Sequence, residues 1–154
     1  MFKKILFCTD FSEDANWAFT YALQIANTFK SKLYILHVTP APVHPEQLSI
    51  YLSPEKLEEL KASQKIELDQ LLHTHYLNKM EDFKDYQVQF KEGEPFLEII
   101  QMAKKESVDL IVMGTHGRTG LDHVLFGSTA EKVVRKSPCP VLTVRLPGRK
   151  FTMP

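Results

Sequence analysis

Four of the six glycines in this chain fall between positions 114 and 127, inside the stretch MGTHGRTGLDHVLFGST. Glycine leaves the main chain bare, lets it turn through positive φ and lets another group approach its amides closely. Successive exposed N–H groups make a concave site for an anion. The FGSTAEK segment opens a helix, and a helix start adds amides without intrahelical acceptors and a partial positive charge. Phosphate is the anion such sites hold. Other residues nearby have two readings each. Ser128 can touch a phosphate or, with Glu131, form the capping box S-x-x-E. Arg118 can meet a phosphate as a donor or stand solvated. His116 and His123 can serve as acid or base or as turn residues. Asp10, after the apolar run KKILFCT, can face a ligand or start the following helix.

The common nucleotide patterns do not fit. The chain has no G-x-x-x-x-G-K-[ST], and Gly114, Gly117 and Gly120 are spaced G-x-x-G-x-x-G rather than G-x-G-x-x-G. No nucleophile, base and orienting group stand out together. His73 and His75 lie two apart on a helix and point to different faces, so they are not a metal pair.

The 154 residues carry 19 basic and 19 acidic side chains, for a formal charge of zero. A nucleic-acid-binding protein shows a basic excess or stripe, so no nucleic-acid partner is expected. Cys8 and Cys139 are too few and too far apart for a disulfide framework or a zinc site, and read as inert thiols. No run approaches the roughly 20 apolar residues of a membrane span, so no membrane association is expected. The opening MFKKILFCTDFS breaks at Asp10 without a signal-peptide pattern, and a cytoplasmic location is expected.

The elements that must position these residues alternate. Apolar runs at 3–10, 32–38, 108–115 and 140–146 read as strands, and the alternating 86–93 as a strand nearer an edge. Helical spacing covers 12–30, with Ser12 as N-cap, and also 54–80, 94–107 and 128–137. Residues 39–54 hold four prolines and read as a surface loop, a lid or a partner contact. Strands alternating with helices give one α/β domain over 1–154: a five-stranded, parallel, doubly wound sheet with helices on both faces. Ligands in such sheets sit beyond the strands' carboxyl ends, where strand order reverses. The glycine cluster begins at such an end.

Gly114-x2-Gly117-x9-Gly127-Ser128 matches the G-2x-G-9x-G-[S/T] pattern of the ATP-binding branch of the universal stress protein family. KKILFCTDFSEDA resembles that family's first strand and Asp-bearing loop, and VDLIVMGTHGRTG and GSTAEKVVRKSPCPVLTVR resemble its last two units. The resemblance implies a flavodoxin-like sheet of order 3-2-1-4-5. It implies ATP, or ADP or AMP, at the carboxyl end, with Mg²⁺ or Mn²⁺ riding on the phosphates. By that likeness the amides of Gly117, Gly127, Ser128 and Thr129 hold the phosphates and Gly114 shapes the turn. Asp10 faces the ribose and adenine, and the Val38 backbone meets the adenine edge. The family also implies a homodimer through the last strand. A dimeric sensor of stress that binds nucleotide is the reading this favours; a slow ATPase and a nucleotide-free scaffold are the alternatives.

Overall fold

The computed structural model describes residues 1–42, 45–117 and 126–148. Its elements are β1 (Lys4–Thr9), α1 (Glu13–Phe29), β2 (Lys32–Pro40), α2 (Pro45–Tyr51), α3 (Pro54–His75), β3 (Tyr86–Gly93), α4 (Pro95–Glu106), β4 (Leu110–Gly114), α5 (Ser128–Lys136) and β5 (Val141–Val144). All pairings are parallel and the strand order is β3-β2-β1-β4-β5, the order expected. β1 is the centre, in register with β2 from Lys4↔Lys32 to Thr9↔His37 and with β4 from Ile5↔Leu110 to Cys8↔Met113.

The apolar runs become strands because both faces of the sheet are covered. Phe7, Leu33 and Ile35 pack under α1 and the end of α3, with Phe19, Leu72 and Tyr76. Leu6, Leu36 and Ile111 pack under α4 and α5, with Ile99, Met102 and Val133. α1 buries Ala15, Ala18, Phe19, Ala22 and Ala26, and the Ser12 side chain caps it by accepting from the Ala15 N–H at 3.3 Å. Cys8 is buried and Cys139 half-buried, both as free thiols, and burial raises both above the usual thiol range, Cys8 far above it.

Three expectations need correction. The proline-rich 39–54 segment contains a short helix, α2, and β2 runs on to Pro40. The helix expected over 54–80 ends at His75, and a 3₁₀ turn at Leu77–Lys79 follows. Tyr76 leaves helical geometry (φ −127°, ψ −57°) and is fully buried, with its ring against Phe7, Phe11 and Phe19. Helical spacing puts Leu57, Leu60, Leu68, Leu71 and Leu72 on one stripe of α3, expected to pack, but only Leu72 is buried; Leu57, Leu68 and Leu71 are half-buried and Leu60 is exposed.

Candidate functional site

β1 has β2 and then β3 on one side and β4 on the other, so connections leave it in opposite directions. A cleft of about 450 Å³ opens there, beyond the carboxyl ends of β1, β2 and β4. Its floor is Cys8–Asp10, Leu36–Pro40 and Met113–Gly117, one rim is Gly127–Ala130, and α3 adds Gln64, Glu67, Leu68 and Leu71 as a wall. The volume lies in the range of small-molecule sites.

The structure brings Asp10, Val38, Gly114, Gly117, Gly127, Ser128 and Thr129 to this one cleft. Arg118, Gly120 and His123 lie outside the described residues. Asp10 stands in a tight turn. Its Oδ1 accepts from the Ser12 N–H at 3.0 Å, and Phe11 beside it holds φ at 61°, a left-handed conformation unusual for phenylalanine. A chain of hydrogen bonds fixes that turn. The Phe11 N–H donates to Thr9 Oγ1 at 2.8 Å, Thr9 Oγ1 is bonded to Tyr76 Oη, and Tyr76 Oη donates to Asn16 Oδ1 at 2.7 Å.

Val38 is placed by strand alternation. The Lys32 N–H bonds to Lys3 on β1's side and the Leu33 N–H to Asp85 on β3's side. Even-numbered residues of β2 therefore address β1 and odd-numbered ones β3. β1 stops at Thr9, opposite His37, so the Val38 carbonyl points past its end into the cleft. His37 is buried beside it, with Nδ1 2.9 Å from the Thr9 carbonyl.

The glycines serve differently from expectation. Positive φ was one of two anticipated reasons, beside close approach of another group, yet Gly93 and Gly148 are the described glycines that use it. A Cβ at Gly114 would stand 2.8 Å from the Asp14 backbone, so Gly114 lets the first turn of α1 press against β4 rather than shaping the turn. A Cβ at Gly117 would stand 2.7 Å from Asp10 Oδ2, so Gly117 makes room for that carboxylate. Gly127 is the N-cap of α5 at φ −65° and ψ 157°, and among the described residues a Cβ there would find ordinary contacts of 3.5 Å and beyond. Its amide already donates to the Thr115 carbonyl at 2.7 Å, so it is not among the donors left for a phosphate. Ser128, Thr129 and Ala130 follow as the first turn, whose N–H groups have no intrahelical acceptor. Ser128 is not the cap, and Glu131 pairs with Arg135 at 3.0 Å, so the expected capping box is not made.

Sequence reasoning missed two contributors. α3 supplies a wall that its exposed pattern did not advertise. Asp14, one of two acids in the first turn of α1, is fully buried against Thr115 and His116. Its signal was position: it lies four residues before Ala18 and eight before Ala22, on the apolar face of α1.

The model of the universal stress protein family matches residues 1–145. The chain belongs to this family. It is 36% identical to the universal stress protein MJ0531 of Methanocaldococcus jannaschii, over 97% of this chain and 86% of the relative. It is 35% identical to MJ0577 of the same organism, over 94% and 96%. The solved structure of MJ0577 superposes with a TM-score of 0.76, covering 95% of this chain and 97% of that one at 31% identity. A universal stress protein solved in complex with cAMP superposes with a TM-score of 0.60 at 25% identity, covering 93% and 96%. In this family member, no described helix is long and apolar enough to cross a membrane. Among its described residues no three His, Cys, Asp or Glu side chains gather as a metal site.

Proposed function

We propose that this universal stress protein binds an adenine nucleotide, ATP or its hydrolysed forms, in the cleft beyond β1 and β4, and acts as a dimeric sensor or regulatory module. The observation that carries the reading is Gly127. Among the described residues it has an ordinary conformation and leaves a Cβ only van der Waals contacts, so its bareness fits a ligand entering the cleft rather than the packing of the fold. Phosphates rest against the start of α5, on the Ser128 and Thr129 amides, with Gly117 and Arg118 on the other side of the loop. The Val38 carbonyl meets the exocyclic amine of adenine, which is a donor. Asp10 accepts from the ribose. Mg²⁺ or Mn²⁺ rides on the phosphates, keeping most of its waters. The relative solved with cAMP, an adenine nucleotide, supports this ligand class. The dimer forms through β5, an edge strand. The protein works in the cytoplasm.

The test is calorimetry with ATP and Mg²⁺, alongside an assay for released phosphate. Bound, intact ATP supports the sensor, whereas steady phosphate release supports a slow ATPase. Gly127→Val is expected to remain folded and lose nucleotide. Unchanged affinity in that variant defeats the loop assignment, and no binding at millimolar ATP in the native protein leaves the scaffold reading.

A further inference from the structure

Asp14 is fully buried in the first turn of α1. Its Oδ2 accepts the Thr115 hydroxyl at 3.1 Å and the His116 N–H at 3.2 Å, and lies 3.4 Å from His116 Nδ1. A hydroxyl has one proton. Since Thr115 Oγ1 gives its own to the carboxylate, it is the acceptor in its 3.0 Å contact with His116 Nδ1, and Nδ1 carries the hydrogen. The ring thus faces Thr115 and Asp14 through its Nδ1 edge, and Nε2 stands on the opposite edge.

The same threonine is held on its main chain. Its N–H donates to the Val144 carbonyl at 3.0 Å, and its carbonyl accepts from Gly127 at 2.7 Å. Thr115 thus joins α1, the end of β5 and the cap of α5. Through it, Asp14 fixes the distance between the two ends of the glycine loop, Gly117 on one side and the first turn of α5 on the other. Gly114 is what lets Asp14 come this near, because any side chain there would strike the Asp14 backbone.

We infer that Asp14 and Thr115 are positioning residues for the phosphate end of the cleft, setting the spacing between Gly117 and the first turn of α5 and the Nδ1–H tautomer of His116. This rests on the adenine-nucleotide reading. Ordering the donors before the ligand arrives removes an ordering cost from binding. In this reading the adenine meets Val38 on β2, whereas the relay holds Gly117 and the first turn of α5, so its loss is expected to weaken ATP more than adenosine.

The experiment titrates ATP with Mg²⁺, and separately adenosine, into the native protein and into Thr115→Val, Thr115→Ser and Asp14→Asn, with long-range ¹⁵N–¹H spectra of the His116 ring. In Thr115→Val the ATP affinity is expected to fall about tenfold or more and the adenosine affinity to stay within about twofold. The ring should be in the Nδ1–H form in the native protein and in Thr115→Ser, which keeps the hydroxyl and should also keep the ATP affinity. If Thr115→Val does not melt cooperatively, the contrast between Thr115→Ser and Asp14→Asn decides: serine keeps the ATP affinity and asparagine loses it. Equal losses for ATP and adenosine, unchanged ATP affinity, or an Nε2–H ring in the native protein each overturn the inference. A native protein that binds neither ligand overturns the nucleotide reading and the phosphate role together, and the ring spectra still score the relay itself.

Discussion

A methyl group added at position 114 would lie 2.8 Å from the Asp14 backbone, where neither partner can swing aside, while one added at 127 would meet no atom of the described residues nearer than 3.5 Å. The two glycines therefore answer different demands, and substitution separates them. Gly114→Ala is expected to cost about 1–3 kcal/mol of stability, as overpacking does. Gly127→Ala gives up only an N-cap preference, about 1 kcal/mol or less. Urea melts should rank them in that order and ATP titrations in the reverse order. If Gly127→Ala proves the less stable of the two, the contact geometry assigned to these positions is wrong. The spacing of the glycines was legible in the sequence, and so was their association with a strand end. Their separate reasons were not, because a close approach between α1 and β4 depends on residues 100 positions apart.

Among the elements, periodicity revealed all five strands and the four long helices, since each has a face or two faces against the core. It failed where a tertiary contact overrides it. Helical spacing runs past His75, but Tyr76 leaves the helix to bury its ring and to bond Asn16 and Thr9 under the Asp10 turn. α2 was hidden by the prolines around it. Tyr76→Phe keeps the ring and strands the Thr9 hydroxyl and the Asn16 carbonyl, so a loss of about 1–3 kcal/mol is expected in urea melts. A melt unchanged by the substitution would mean that this hydrogen-bonded chain contributes nothing. The opening of β1 depends on another local device. Asp109 Oδ2 accepts from the Lys3 and Lys4 N–H groups at 2.8 and 2.9 Å. The Lys4 amide first, then that of Lys3, hold its carboxyl below the usual aspartate range. A depressed folded-state value means that the stabilisation is present above the unfolded value and is lost as pH falls through the folded one. Asp109→Asn should therefore show a shallower fall in melting temperature than the native protein on acidification below the ordinary aspartate range. Parallel acid limbs would rule the clamp out as a source of pH dependence.

For the whole molecule, the order β3-β2-β1-β4-β5 leaves β3 and β5 at the edges and puts the cleft at the reversal beside β1. The same order makes the proposed dimer testable without touching the cleft. The Ile111 N–H bonds to the Pro140 carbonyl and the Thr115 N–H to that of Val144, so Leu142, like Pro140 and Val144, addresses β4. Val141 and Thr143 address the open edge, where a two-fold mate would pair. Proline at 143 removes an outward N–H and leaves the β4 ladder intact, the placement in which a strand tolerates it. Thr143→Pro should thus turn a dimer into a monomer in analytical ultracentrifugation while ATP affinity stays within about threefold, because no residue of β5 lines the cleft. A Thr143→Pro protein that still sediments as a dimer would move the interface off β5. One that becomes monomeric and also loses ATP would show that the mate completes the nucleotide site.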